Sequence, residues 1–259
     1  MDKRKTIYYD DPLNEEFSVT PLKKKPIDDN YVYIHTGLFK RITRFFWYRI
    51  IAMPLAFIYT KFHFGHKIIG AEVMKPYKKE GFFMFGNHTQ DIGDALMPNM
   101  ILKSKEKFFV VDPKNLSVPL IGAITPSLGA LPLPDTAGAA KNFLSAIRQR
   151  INEGAAIVIY PEAHIWPYCT FIRPFRDDSF TFPMRLGVPC FSFTNVYKKR
   201  RFRKEPKIIT YVDGPFFPDE SLPLKDRRRD LRDRVFEKMS ERAKESDVKI
   251  IEYIRKEKQ

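Results

Sequence analysis

Short, continuous apolar runs alternate with helical patterns through most of the chain. Runs of four to eight residues cover 82–85, 107–111, 155–160, 189–196 and 207–212, and 67–70 is a shorter one. Such runs are typical of buried strands. Helical spacing of apolar residues separates several of them, within 136–149 and again from Ile92 to Leu102. This alternation predicts an α/β fold with a mixed, mostly parallel central sheet flanked by helices.

A different pattern precedes the predicted sheet. Aromatic and arginine side chains intermingle from Phe39, and residues 50–59 are then almost wholly apolar before Lys61. The apolar run contains Pro54 and is well short of the roughly 20 residues that span a bilayer. It predicts a helical segment over 39–66 that either lies in the headgroup region of a membrane as an amphipathic element or packs as a core helix. We include a membrane-contacting segment in the predicted fold.

The two ends of the chain have their own patterns. Residues 1–38 contain three prolines and basic clusters without a sustained period, which predicts a loosely ordered basic arm. Residues 67–259 are long enough for one catalytic domain with a substantial core. Within it, 226–258 reads as a charged amphipathic helix or a pair of helices. The apolar side of that pattern consists of Leu231, Val235, Met239, Ile250, Ile251 and Ile254.

Charge and cysteine content limit the environment. The 259 residues include 45 Lys and Arg against 31 Asp and Glu, for a net charge of +14. Such a surface attracts nucleic acid, anionic lipid headgroups or phosphorylated substrates. Cys169 and Cys190 lack metal-like spacing and indicate a reduced, cytosolic compartment. The five histidines form no paired ligand motif, so we expect no metal.

The densest candidate chemistry follows the apolar run 82–85. Asn87 and His88 come directly after Gly86, and two aspartates, Asp91 and Asp94, follow within a few residues. Ligands bind at the C-terminal ends of strands in open α/β sheets, and a histidine there can act as a general base oriented by a carboxylate. Either aspartate can be that carboxylate. The alternative is a turn in which the acidic residues only cap a helix.

A second carboxylate has a similar position. Glu162 follows the apolar run 155–160 and Pro161. In a parallel sheet this strand end lies on the same edge as the His88 turn. We predict a binding or orienting role for Glu162, with a solvent-facing turn carboxylate as the alternative.

Four segments in this order resemble the glycerophospholipid acyltransferase superfamily, especially bacterial 1-acylglycerol-3-phosphate acyltransferases. They are Asn87-His88, Gly129-Ala130-Leu131-Pro132, Tyr160-Pro161-Glu162 and Val188-Pro189. The resemblance covers about residues 70–213. It implies that His88 takes the proton of an acceptor hydroxyl that attacks an acyl thioester, forming phosphatidic acid. It also implies acyl-CoA or acyl-carrier protein as donor substrate and no other cofactor.

The chain departs from the family pattern in two places. The usual four residues between His and Asp would place the acid at Gly93, and we favour Asp94 because it lies nearer that position. The arginines of the second and third family blocks are missing, so an acceptor phosphate needs other cations. We predict Arg173 and Arg176 for that role, although both can equally be surface charges. His164 and Asn87 complete the predicted substrate contacts.

Partners and location follow from these assignments. We expect a lysophospholipid acceptor, a membrane surface and no nucleic acid, with the protein peripheral or monotopic on the cytoplasmic face of the cell membrane. The alternatives are an acyltransferase for a different lysolipid or lipid acceptor, and a non-catalytic lipid-binding protein of the same fold. A nucleic-acid-binding protein would use the basic loop 198–204 and the C-terminal helix, but the sequence contains no recognised nucleic-acid module.

Overall fold

The computed structural model describes residues 5–18, 22–35, 37–119 and 122–257. The strands in chain order are β1 (Lys5–Tyr9), β2 (Lys67–Ile69), β3 (Phe82–Gly86), β4 (Lys107–Val111), β5 (Ala130–Pro132), β6 (Ala156–Ile159), β7 (Cys190–Lys198), β8 (Lys207–Phe216) and β9 (Ile251–Arg255). The α-helices are α1 (Leu38–Phe45), α2 (Met53–Ile58), α3 (Gly93–Ile101), α4 (Ala137–Asn152), α5 (Thr181–Leu186) and α6 (Leu224–Ala243).

The predicted α/β fold with a mostly parallel sheet is confirmed. Seven strands form one sheet in the order β2-β8-β7-β3-β6-β4-β5. Every neighbouring pair is parallel except β7 and β8. Strand β3 lies between β6 and β7, so the turns that follow β3 and β6 emerge side by side at one edge. The two candidate turns are thereby neighbours.

The sheet is covered on both faces, which explains its unbroken apolar runs. Phe83 and Phe85 of β3 point to a core that includes side chains of α4 and α6. Phe82 and Met84, on the alternate positions, point to the opposite core with Ile101 at the end of α3. The site is therefore built on a rigid, doubly covered scaffold.

The segment predicted for 39–66 is helical but not a regular α-helix. Helices α1 and α2 are continued by π-helical turns at Phe46–Ala52 and Tyr59–His63. One side packs on the domain: Tyr48 is buried and its hydroxyl donates to Asn99 Oδ1 of α3 at 2.6 Å. The other side exposes large apolar side chains, namely Leu38, Phe39, Ile42, Phe45, Phe46, Ile50, Leu55, Phe57, Ile58 and Phe62.

The helical segment thus has both a packed and an exposed side, as an amphipathic element requires. Within the described ranges, no helix has the length and apolar character needed to cross a bilayer. Contact of this segment with a membrane stays a prediction.

We predicted a loosely ordered arm over residues 1–38, but the described part of the arm contains a paired strand and packed side chains. Residues 1–4, 19–21 and 36 lie outside the described part. Strand β1 pairs in parallel with β9 as a separate two-stranded sheet. Tyr9 and Phe17 both pack edge-on against Trp166, with ring centroids at 4.8 and 4.9 Å. The prediction relied on the prolines and on the absence of a periodic pattern. It did not account for scattered aromatic side chains that pack against one common residue, Trp166.

The C-terminal prediction of a helix over 226–258 is wrong beyond α6. Helix α6 ends at Ala243, and Ile251–Arg255 is strand β9. The ring of Tyr253 stacks on Trp166 at 4.9 Å, and its hydroxyl donates to the carbonyl of Pro167 at 2.9 Å. The isoleucine spacing fits a helix and a strand equally well, and pairing with β1 decided for the strand.

Candidate active site

The turn that carries His88 begins where β3 ends at Gly86. A Cβ atom at Gly86 would lie 2.1 Å from the ring of Phe193 on β7, so only glycine lets the two strands pack here. Asn87 follows, and its side-chain amide exchanges two hydrogen bonds with the backbone of Asn195 on β7, at 2.8 and 3.0 Å. The start of the turn is therefore tied to the neighbouring strand.

His88 and Asp94 form the predicted pair. The Nδ1 atom of His88 lies 2.8 Å from Oδ2 of Asp94. The same oxygen accepts the backbone N–H groups of Thr89 and Gln90 at 2.8 and 2.9 Å. Asp91, the alternative partner, is exposed and accepts a hydrogen bond from Ser18 of the arm. Asp94 is thus the carboxylate that orients the histidine.

The position where the family pattern places its acid has no room for a side chain. A Cβ atom at Gly93 would lie 2.6 Å from Cε of Met97 and 2.9 Å from Cβ of Gln90. Helix α3 begins at Gly93, so Asp94 lies in its first turn and reaches back over the loop. One additional residue in the turn is accommodated by moving the acid one position along the helix.

Asp94 is almost completely buried, whereas the side chain of His88 is 18% exposed. Burial raises the pKa of the Asp94 carboxyl, and the hydrogen bonds from His88, Gln90 and Thr89 act against that rise. Because Nδ1 donates to the carboxylate, the second ring nitrogen, Nε2, is the acceptor of the neutral imidazole. Nε2 has no partner among the described residues, so it is available to a substrate.

Tyr160, at the end of β6, holds the imidazole from the side. The two rings stack with centroids 4.4 Å apart and an angle of 17° between their planes. The hydroxyl of Tyr160 donates to the backbone carbonyl of Asp94. Tyr160 therefore contacts both members of the pair and fixes the plane in which Nε2 points.

Glu162 supports the turn from the same strand end. Its Oε2 accepts the backbone N–H of His88 at 3.0 Å and Nη2 of Arg173 at 3.1 Å. Its Oε1 accepts the backbone N–H of Arg173 at 2.9 Å. Burial raises the pKa of the Glu162 carboxyl, and the charge of Arg173 opposes the rise. Of the predicted binding or orienting role, this geometry favours orienting, and the role of Glu162 stays a prediction.

The comparisons with known proteins bear on this arrangement. Residues 67–195 match the family model Acyltransferase, and this range contains His88, Asp94 and Glu162. The chain carries an acyltransferase domain of the glycerophospholipid acyltransferase superfamily. A comparison with curated protein sequences found no significant match.

The fold of this acyltransferase domain is similar to a solved structure. The crystal structure of the 1-acyl-sn-glycerophosphate (LPA) acyltransferase PlsC from Thermotoga maritima superimposes with a TM-score of 0.54. The alignment covers 76% of this chain and 81% of that chain at 16% sequence identity. At this identity the likeness concerns the fold.

The arginines predicted as phosphate ligands lie in different environments. Arg173 is fully buried; it pairs with Glu162, donates to the carbonyl of His164 and lies over the ring of Trp166 at 4.8 Å. This geometry favours a positioning role over the predicted contact with substrate, because the guanidinium does not reach the surface. Arg176 is exposed near Asp178, and no contact connects it to the His88 turn in the described part of the chain.

The other predicted substrate contacts also have partners in the protein. His164 is partly exposed, and its Nδ1 lies 3.9 Å from a carboxylate oxygen of Glu16 in the arm. Asn87 is 1% exposed and uses its amide on Asn195, so it supports the turn. Both residues stay predictions as substrate contacts.

Several supporting residues were missed by the sequence analysis. The hydroxyl of Tyr197 on β7 donates to Oγ1 of Thr89 at 2.8 Å and accepts from Nε2 of Gln90 at 2.9 Å. The backbone N–H of Trp166 donates to the carbonyl of His88 at 3.1 Å. Tyr160 belongs to the Tyr160-Pro161-Glu162 segment, which was a signal. Tyr197 directly follows the apolar run 189–196 and gave none.

The described residues contain no group of three His, Cys, Asp or Glu side chains placed to hold a metal ion.

Proposed function

We propose that the protein is an acyltransferase that moves a fatty acyl group from a thioester to the free hydroxyl of 1-acylglycerol-3-phosphate at a membrane surface. The donor is acyl-CoA or acyl-carrier protein. The observation that carries the proposal is the 2.8 Å contact between His88 Nδ1 and Asp94 Oδ2, on a partly exposed ring whose Nε2 has no partner in the described part of the chain. The acyltransferase domain supports the reaction class.

In this mechanism Nε2 of His88 accepts the proton of the acceptor hydroxyl while the oxygen attacks the thioester carbonyl. The tetrahedral intermediate then expels the thiolate, which takes the proton from the imidazolium, so the products are an ester and a free thiol. Asp94 stabilises the imidazolium and holds its ring. Proton transfer of this kind supplies roughly 10²- to 10⁴-fold, and positioning and charge stabilisation must supply the rest.

The oxyanion of the intermediate needs hydrogen-bond donors. The amides of His88, Thr89 and Gln90 are occupied by the carboxylates of Glu162 and Asp94. We therefore look to the start of α3, where the N–H groups of Ile92 and Gly93 carry no hydrogen bond to the described residues. The first amides of a helix are free for such a role.

The environment of Arg173 favours a second class of acceptor beside 1-acylglycerol-3-phosphate. Arg173, the cation nearest in sequence to the Glu162 turn, is held by Glu162 and Trp166 away from the surface. Because Arg173 is then not placed to bind an acceptor phosphate, the alternative is an acceptor without a phosphate monoester, such as another lysophospholipid. It uses the same histidine and the same chemistry on its hydroxyl.

The experiment measures acyl transfer on vesicles from long-chain acyl-CoA and from acyl-carrier protein. The acceptors are lysophosphatidic acid and, separately, lysophosphatidylethanolamine. We compare the wild type with His88→Ala, Asp94→Ala and the matched control Asp91→Ala, which changes an exposed carboxylate in the same turn. Circular dichroism and thermal unfolding check that each variant is folded.

We expect phosphatidic acid from the wild type and the Asp91→Ala control, and a loss of at least roughly 100-fold in the His88 and Asp94 variants. Activity only with lysophosphatidylethanolamine would support the second acceptor class. An unchanged rate in folded His88→Ala would contradict the mechanism. No transfer by the wild type to either acceptor would favour the non-catalytic, lipid-binding alternative.

A further inference from the structure

The hairpin between β7 and β8 exposes an aromatic ring at its tip. The ring of Phe202 is 86% exposed, the largest exposed fraction of any large apolar side chain in the described residues. The guanidinium of Arg201 lies over this ring, 5.1 Å from its centroid. A single exposed ring is common on protein surfaces, so its role depends on the surface that lies beside it.

Unpaired positive charge surrounds the ring, and Glu205 is the one carboxylate among residues 199–205. Lys199, Arg201 and Lys204 are exposed, and within the described ranges no acidic side chain pairs with any of them. Lys198, at the base of the hairpin, is different: its Nζ lies 3.7 Å from Glu245 and 3.8 Å from Asp247. The tip therefore presents free cations, whereas the base neutralises its own.

Two further arginines fasten the hairpin to the helical segment. Nη1 of Arg200 donates to the carbonyl of His63 at 2.7 Å, and Nη1 of Arg203 donates to the carbonyl of Phe62 at 2.9 Å. Both carbonyls belong to the last turn of the helical segment, where carbonyl groups lack a backbone N–H partner within the helix. The tip thus adjoins the segment 38–63, which exposes large apolar side chains and contains no Asp or Glu.

The hairpin is also connected to the candidate active site. Tyr197, the last buried residue before the hairpin, contacts Thr89 and Gln90 through its hydroxyl. The helical segment reaches the same region, because α2 packs on α3, the helix whose first turn holds Asp94. Both exposed elements are therefore attached directly to the structure around His88.

We propose that the tip formed by Lys199, Arg201, Phe202 and Lys204 binds an anionic phospholipid bilayer as a second contact beside the helical segment. Phe202 enters the headgroup region, and the three cations meet lipid phosphates. The proposal deepens the proposed function, since it names the surface on which that reaction takes place. The large apolar side chains that the helical segment exposes beside the tip favour lipid over nucleic acid, because a polyanion without an apolar phase would leave them in water.

The test measures binding of the full chain to vesicles by flotation, without any acyl donor. One set is phosphatidylcholine alone and the other contains one part in three of phosphatidylglycerol. The hairpin variant carries Lys199→Gln, Arg201→Gln and Lys204→Gln, and a second variant carries Phe202→Ala. The control carries Lys141→Gln, Lys225→Gln and Arg229→Gln, which removes the same charge from exposed positions elsewhere.

Each basic residue near an anionic leaflet contributes on the order of 1 kcal/mol, or about fivefold. We expect the hairpin variant to lose roughly 10- to 100-fold in affinity for the anionic vesicles and little for the neutral ones. Phe202→Ala should lose about tenfold on both. The control should bind within about threefold of the wild type on anionic vesicles, because only long-range attraction is reduced.

Equal losses in the hairpin and control variants would overturn the proposal, because total charge would then explain binding. Unchanged vesicle binding with lost binding to single-stranded RNA would also overturn it. The result is separate from the proposed reaction. A wild type that binds through the hairpin but transfers no acyl group would contradict the function and keep the inference.

Discussion

The turns after β3 and β6 have the same layout and different tasks. Each follows a buried parallel strand, and each relies on a buried carboxylate, Asp94 for the first and Glu162 for the second. Asp94 accepts hydrogen bonds from His88 and from two backbone amides, and Nε2 of the partly exposed His88 ring has no partner among the described residues. Glu162 receives the amide of His88 and the guanidinium of Arg173, which is itself fully buried.

The difference lies in what the carboxylate holds. A carboxylate that orients a partly exposed imidazole stabilises the imidazolium that forms when the ring takes a proton. A carboxylate paired with a buried guanidinium neutralises a charge that would otherwise be costly. The first turn is therefore suited to chemistry and the second to holding the first in place, through Glu162 and through Tyr160.

The largest expected effect separates the two turns by activity. Asp94→Asn keeps an oxygen acceptor but cannot stabilise an imidazolium, so kcat should fall by roughly 10²- to 10⁴-fold. The midpoint of urea unfolding should shift little, because the amide occupies the same volume. A variant that unfolds instead, with normal kcat in its folded fraction, would assign Asp94 a structural role.

Glu162→Gln should have the opposite signature. It leaves the guanidinium of Arg173 buried without an anion, and the free energy of unfolding should fall by about 3–5 kcal/mol. The double variant Glu162→Gln, Arg173→Met removes the stranded charge and should recover part of that loss in urea unfolding. If the double variant is no more stable than Glu162→Gln alone, the pair is not what Glu162 contributes.

A third support of the His88 turn should respond to acid. His66 is buried, its Nε2 lies 2.7 Å from Oγ1 of Thr210, and that hydroxyl donates to Oδ1 of Asn195 at 2.6 Å. Burial lowers the pKa of His66 to about 4 from the usual 6.5, so the unfolded chain binds the proton more readily than the folded one.

The stability that neutral His66 contributes is complete above pH 6.5 and is lost as the pH falls towards 4. This loss amounts to roughly 3 kcal/mol. Urea unfolding between pH 7 and 4 should show it in the wild type, and His66→Gln should flatten the profile in this range. An equally steep profile in the variant would assign the acid sensitivity to other groups.

The smallest effect concerns the connection between the two turns. Tyr160→Phe removes the hydroxyl that donates to the carbonyl of Asp94 and keeps the ring stacked on His88. Losing one such hydrogen bond costs about 0.5–1.5 kcal/mol, which corresponds to a two- to tenfold lower kcat if it acts on the histidine. Tyr160→Leu, which also removes the stacking, should lose more; equal kcat in both variants would mean that stacking does not position His88.

Local sequence patterns predicted much of the fold. The apolar runs marked the sheet strands because strands covered on both faces need continuous apolar sequence, and β4 was predicted to the residue at 107–111. Where two periods fit the same residues, the pattern failed: Ile250, Ile251 and Ile254 suited a helix, yet β9 forms through pairing with β1, which lies more than 200 residues away in sequence. The prediction for the arm failed for a similar reason, since Tyr9 and Phe17 pack against Trp166, which is distant in sequence.

The sequence by itself determined the alternation of strands and helices, the strand-end positions of His88 and Glu162, and the restriction of His88's partner to two aspartates. Only the tertiary structure decided between them, because the first turn of α3 brings Asp94 back to Nδ1, whereas Asp91 is exposed and accepts a hydrogen bond from Ser18. The tertiary structure also shows that Arg173, predicted as a phosphate ligand or a surface charge, is a buried partner of Glu162. Residue spacing limits what a short turn can reach, but burial and pairing depend on strands that are distant in sequence and adjacent in the sheet.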